Sequence, residues 1–321
     1  METAAVNLSD VSLSFGDVAA IDRLTFAAPK EKITVLLGPN GAGKTTAMRL
    51  ITGALAPSGG SVQVLGENPA DPRVGDRVRA NIGIVPAKPA LYERATGWEN
   101  LRYAADIYRV APDERDDRIR EAAQRFDIDH VLKKRAGEYS TGMKTRLVLA
   151  RSILHSPNLL LYDEPTSGLD PESSKAVLEL IREMTGDGKT VLMCTHLLVE
   201  AEDLADQIIV MNHGQIRAEG TKDALIEQYF SEVAVGVETG SEKQAATAAA
   251  IARDAEYVLN ATSSGCAVAL TVTSVDAVPL LVRALVRGDV DVCSVTPHAP
   301  TLEDLYFASQ QDTPPSSEVR R

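Results

Sequence analysis

The chain has 321 residues, with 33 Lys and Arg against 45 Asp and Glu, a net charge of −12, 44% apolar residues and 24% charged ones. That balance suits a soluble globular protein with room for a main domain and a smaller one, and it argues against nucleic acid as a partner, since a phosphate-backbone binder carries a basic stripe. No basic leader precedes an apolar stretch, no apolar run approaches the ~20 residues of a membrane helix, and Cys194, Cys266 and Cys293, odd in number and widely spaced, read as reduced thiols used in packing.

Loose alternation over 6–15 (Val6, Leu8, Val11, Leu13, Phe15), the turn Gly16-Asp17 and a second run ending near Phe26 predict an antiparallel edge region. The apolar run Ile33 to Leu37 predicts a strand, and Ala47, Leu50 and Ile51 fall at helical spacing after it. Between them stands Gly38-Pro39-Asn40-Gly41-Ala42-Gly43-Lys44-Thr45-Thr46, of the form G-x-x-x-x-G-K-T. Glycines there let successive N–H groups turn inward and, with the helix N-terminus, form a cradle for phosphates. Lys44 is suited to the β- and γ-phosphates, and the Thr45 hydroxyl to the Mg²⁺ that bridges them. A plain Gly-rich turn does not explain the strand and helix on either side, and a dinucleotide fingerprint starting at Gly41 would need glycine where Thr46 stands.

Further strands are predicted at Ser61 to Leu65 and 82–85, the latter stopped by Pro86. Helical periodicity then runs from Trp98 to Ala136, with Pro112, Asp113 and Glu114 as first-turn residues of its second helix, an insertion spanning about 90–155. Ser140 opens a helix ended by Ser156-Pro157, and Leu159 to Asp163 reads as a strand buried on both faces. Asp170-Pro171 caps a helix that runs to Gly186 or Gly188; strand Val191 to Thr195, helix Leu197 to Ala205, strand Ile208 to Met211 and the turn Asn212-His213-Gly214 complete an α/β core. Alternation and an alanine-rich helix over 230–308 predict β-α-β-β-α-β, a small ferredoxin-like α+β domain, with a disordered tail over 309–321.

Asp163-Glu164 at a strand end supplies what a P-loop hydrolase needs: one carboxylate for the metal shell and one to take a proton from water. The full run Leu159 to Asp170, with Tyr139-Ser140-Thr141-Gly142-Met143 upstream, resembles the ATP-binding cassette (ABC) ATPases over residues 5 to about 225. The resemblance implies an α/β P-loop fold with a RecA-like core, an ATPase domain over 1–225, and ATP with Mg²⁺ as cofactors. By it, Gly38 to Thr46 are the Walker A loop, Asp163 the Walker B aspartate beside Thr45 on the metal, Glu164 the catalytic base and His196 the switch histidine. Ser140 and Gly142 stand in the signature motif, Ser167 to Asp170 in the D-loop, and Phe15 where an aromatic stacks on adenine. Lys44 completes the catalytic set with Glu164 and His196.

One residue departs from the family pattern. Glutamine usually follows the strand ending in proline, whereas this chain reads Val85-Pro86-Ala87-Lys88. Ala87 neither ligates a metal nor orients a water, so ATP binding is expected to survive and hydrolysis or its coupling to weaken. The resemblance further implies a head-to-tail pair of cassettes, identical or paralogous, and a separate transmembrane permease touched through about 87–109. The segment Pro300 to Phe307 is similar to the close of bacterial exporter-type cassettes of the antibiotic-resistance and sodium-efflux kind. The expected place is cytoplasmic, peripheral on the inner face of the cell membrane. Rival readings are a degenerate cassette that regulates an active partner, a soluble ABC ATPase, usually two cassettes in one chain, and a chromosome-maintenance ATPase, which would need a heptad insertion absent here.

Overall fold

The structure is a computed structural model that describes residues 4–230, 232–298 and 300–310. It divides into two compact units, Met1–Lys222 and Asp223–Arg321. In the first, β1 (Ala4–Phe15) pairs antiparallel with β2 (Val18–Pro29) and with β4 (Gly59–Val64), in the order β2-β1-β4. The strand β3 (Ile33–Leu37) leads through the glycine loop into α1 (Lys44–Ile51), whose Ala47, Leu50 and Ile51 are buried as their spacing requires. After β4 come the short α2 (Gly75–Arg79), which the periodicity did not announce, and β5 (Ile82–Val85).

The helical part comprises α3 (Gly97–Ile107), α4 (Arg115–Arg125) and α5 (Thr141–Ile153), which pack on one another, with α5 also against β5. A capping box opens α3: Thr96 Oγ1 accepts from Glu99 N–H at 3.1 Å and Glu99 Oε2 accepts from Thr96 N–H at 2.7 Å. The second helix begins later than expected. Glu114 is its N-cap and Asp116 and Asp117 its first-turn acids, because Pro112 and Asp113 lie in the preceding turn. Beyond α5 follow β6 (Leu159–Asp163), α6 (Pro171–Gly186), β7 (Thr190–Thr195), α7 (Leu198–Leu204), β8 (Gln207–Asn212) and β9 (Gln215–Gly220).

These strands form one sheet in the order β5-β6-β7-β3-β8-β9, parallel except for the β8–β9 hairpin. The runs Ile33 to Leu37 and Leu159 to Asp163 are buried throughout, as strands covered on both faces must be. Register sets Leu37 beside Thr195, Asp163 beside Cys194 and Val85 beside Tyr162. Parallel pairing therefore brings the C-terminal ends of β3, β5, β6 and β7 to one edge.

In the second unit, α8 (Lys222–Tyr229) is followed by β10 (Val233–Thr239), α9 (Glu242–Arg253), β11 (Val258–Ser264), β12 (Ala267–Val272), α10 (Val278–Arg287), β13 (Val292–His298) and α11 (Leu302–Gln310). The sheet is antiparallel in the order β11-β12-β10-β13, and Ala245, Ala248, Ala249, Leu281 and Leu285 pack on it. Ser309 and Gln310, read from sequence as the start of a tail, belong to α11; the rest of that tail lies outside the described residues. Only Cys194 is a packing thiol, since Cys266 and Cys293 are exposed.

Just past α5, His155 ties the helical part to the sheet. Its ring stacks on Tyr108 at 3.7 Å, and Nε2 lies 3.1 Å from the Ile82 carbonyl, which only accepts, so Nε2 carries the proton. Nδ1 is buried without a partner, and burial pushes the pKa down to about 4. The unfolded chain, with its ordinary histidine value near 6.5, therefore binds this proton first. Stability from the neutral ring is complete above that value and is lost as pH falls toward 4. Urea unfolding at stepped pH is expected to show this loss, and His155→Phe, which keeps the stacking surface, to reduce it.

Candidate functional site

Every candidate group in the first unit traces to the end of a strand or the start of a helix. Gly43, at φ +103°, turns the chain into α1 as its N-cap with no side-chain hydrogen bond to the first turn, so those amides stay directed at the loop. Gly38 allows the loop to pass under β8: a Cβ there would lie 2.3 Å from the Met211 carbonyl oxygen. The β8–β9 turn holds the loop from behind, with Gly214 N–H donating to the Ala42 carbonyl at 3.0 Å.

A cavity of about 570 Å³ opens over this loop, lined by Pro39 to Thr46 with Asp163, Glu164, Ser167 and His196. Lys44 is 5% exposed, its Nζ donating to the carbonyls of Gly38 at 2.6 Å and Pro39 at 3.2 Å and lying 3.7 Å from Glu164 Oε1. Thr45 Oγ1 donates to Asp163 Oδ2 at 3.0 Å. Burial raises the Asp163 pKa, opposed by that hydrogen bond. Glu164 Oε2 and His196 Nδ1 are 2.5 Å apart. Glu164 also holds a left-handed backbone, φ +51°, which a side chain adopts only where its surroundings impose it. Here Glu164 N–H donates to the Cys194 carbonyl and Ser167 N–H to the Glu164 carbonyl, so both sides of the residue are fixed.

Three expected residues stand apart from this cavity. Phe15 is half-exposed at the β1–β2 turn, and the wall beside it is Val18, Ala19 and Ala20. Ser140 caps α5 by accepting from Met143 N–H at 3.2 Å, and a Cβ on Gly142 would face Ser173 and Leu169; neither residue lines the cavity. Ala87 and Lys88, by contrast, do line it.

Sequence reasoning passed over a second layer behind the acids. Glu200 on α7 is buried and accepts from the hydroxyls of Thr166 and Thr195. No motif links these residues, which are separated by 34 and 5 positions. An acid four residues past the histidine was the available signal.

A lysine and amide cradle at a strand-to-helix turn, faced by carboxylates from the strand next but one in the same parallel sheet, defines the class: a P-loop nucleoside triphosphatase. The profile of the family described as ABC transporter matches residues 21–167. An uncharacterized ABC transporter ATP-binding protein, YdbJ of Bacillus subtilis, is 34% identical over 96% of each chain. Nod factor export ATP-binding protein I of Rhizobium sp. (strain N33) is 33% identical over 96% of this chain and 97% of its own. A solved ATP-binding subunit of an ABC transporter superposes with a TM-score of 0.64 at 30% identity, over 71% of this chain and 93% of that one. The chain belongs to the ATP-binding subunits of ABC transporters and is an ATPase of that family.

The raised pKa of Asp163 carries a cost. A carboxyl whose folded pKa lies above its unfolded value opposes folding once pH exceeds both, and the penalty vanishes below the unfolded value. Asp163→Asn, which still accepts from Thr45, is therefore expected to raise the melting temperature of the nucleotide-free protein at pH 8, with little gain at pH 3.5. Calorimetry at the two pH values checks the sign.

Proposed function

We propose that the chain powers export through a separate permease, with two cassettes closing head to tail on ATP. The observation that carries this reading is that Ser140 and Gly142 stand outside the cavity that holds the loop, acids and histidine. A second cassette must bring its own pair to cover the γ-phosphate. The export direction rests on the similarity to the Nod factor exporter subunit and on the Pro300 to Phe307 segment.

The distances support a role for each residue. Lys44 and the N–H groups of Asn40, Gly41 and Gly43 to Thr46 meet phosphate charge, and Val18 to Ala20 with Phe15 beside them border the nucleoside end. The Thr45 hydroxyl and Asp163 carboxylate, 3.0 Å apart, are hard oxygen donors suited to Mg²⁺. Such an ion supplies charge neutralisation for the phosphates and offsets the burial penalty on Asp163. Glu164 takes the proton from water as the water oxygen bonds to the γ-phosphorus and the β–γ bridge breaks. His196 holds the Glu164 carboxylate and faces the same phosphate.

Within this reading, 1–225 is the ATPase domain, and 230–308 is a small domain that pairs or regulates subunits. Exposed Tyr92, Tyr103 and Ile107 support 87–109 as the permease contact. No helix among the described residues is long and apolar enough to cross a membrane, so a partner chain supplies the passage. The protein then sits on the cytoplasmic face of the membrane.

A second reading has one observation behind it. Ala87 occupies the cavity wall where the family carries glutamine, which favours a weakly hydrolysing cassette that regulates an active one.

Steady-state hydrolysis separates the two. Under the first reading the chain turns over ATP, Glu164→Gln lowers kcat by about 100-fold or more while ATP still binds, and light scattering of that variant with MgATP gives a dimer. Ala87→Gln is expected to raise kcat. Tight ATP binding without turnover in the wild type, with turnover gained in Ala87→Gln, would establish the regulatory reading instead.

A further inference from the structure

Glu200 is 3% exposed and lies behind the site rather than in it. Both of its oxygens are taken by hydroxyls: Oε1 accepts from Thr166 Oγ1, and Oε2 accepts from Thr195 Oγ1 at 2.6 Å. The Thr195 hydroxyl in turn accepts from Leu197 N–H at 3.0 Å, so the backbone on either side of His196 is fastened to one carboxylate. On the other side, Thr166 follows Glu164 in the turn that Ser167 N–H closes onto the Glu164 carbonyl at 3.1 Å. Glu200 thus joins the loop after β6 to the loop after β7. These two loops carry the partners of the 2.5 Å Glu164–His196 hydrogen bond.

A buried carboxylate is costly in a core, and an apolar side chain could fill its space. What the acid adds is direction. Two acceptors on one rigid group set the spacing of two loops beyond the point where Glu164 N–H still donates to the Cys194 carbonyl. We propose that Glu200 is a positioning residue for ATP hydrolysis, a brace that holds His196 against Glu164. This rests on the ATPase roles given above to those two residues. With the brace removed, Thr195 loses its acceptor, the His196 loop is free to turn, and the Glu164 carboxylate loses the partner that orients it toward water. Nucleotide affinity, set by the loop amides and Lys44, stays in place.

The test reads His196 directly. Long-range ¹H–¹⁵N spectra of the full chain, with the His196 signals assigned by their loss in His196→Gln, are recorded for wild type, Glu200→Ala, Glu200→Gln and Thr195→Val. Glu200→Ala and the isosteric Thr195→Val are expected to move the His196 imidazole signals toward those of a solvent histidine. The signals of His130, His155, His213 and His298 stay put, and Glu200→Gln, which retains an acceptor of the same shape, restores most of the shift. In the same preparations, Glu200→Ala lowers kcat by about 10-fold with KM for ATP changed less than about twofold, and Gln recovers to within about threefold of wild type. His196 signals unmoved in Glu200→Ala, or all five histidines disturbed alike in Ala and Gln, would overturn the brace. Turnover that survives Glu164→Gln would defeat the ATPase roles instead, and the spectra would still decide whether Glu200 holds His196.

Discussion

Four neighbouring strands run in the same direction, and the site depends on that. With β5, β6, β7 and β3 adjacent and parallel, whatever follows each strand emerges at one edge. The residues that follow are Ala87 and Lys88 after β5, Asp163-Glu164 at β6, His196 after β7 and the glycine loop after β3. An antiparallel exchange of any one pair would send its group to the opposite edge. The cavity is therefore a consequence of strand direction, and its chemistry a consequence of which residue ends each strand.

Electrostatics at this edge runs against the chain as a whole. The protein carries a net charge of −12, yet the loop offers backbone amides and a lysine buried to 5% exposure. Local dipoles in a partly desolvated cleft outweigh distant surface charge, which solvent screens within about 8–10 Å. Binding of a polyphosphate is thus compatible with an acidic surface that would repel a nucleic-acid backbone.

The same edge holds three locally unfavourable features. Asp163 has its pKa raised by burial, Glu164 adopts φ +51°, and Glu200 places a carboxylate in the core. None of these helps the empty chain to fold. Each is held by neighbours that are well satisfied: Thr45 on Asp163, the Cys194 carbonyl on the Glu164 amide, two threonine hydroxyls on Glu200. Where such features sit among candidate catalytic groups, function and stability compete.

Periodicity alone was enough to locate most elements. The runs 33–37, 82–85 and 159–163 are strands with the bounds expected, because continuous apolar stretches bounded by Gly, Pro or acid allow little else. Asp170-Pro171 and Ser140 likewise begin helices, since capping is local chemistry. Short or polar elements such as α2, β9, α8 and α11 were illegible, because tertiary contacts rather than pattern sustain them. The residues at the site were nameable from motif spacing: Lys44, Thr45, Asp163, Glu164 and His196 do meet around one cavity. Their partners were not. That Glu200 joins Thr166 to Thr195, that Val18 to Ala20 rather than Phe15 line the wall, and that Ser140 and Gly142 stand outside were decided by strand order and register, which bring together residues that no local pattern relates.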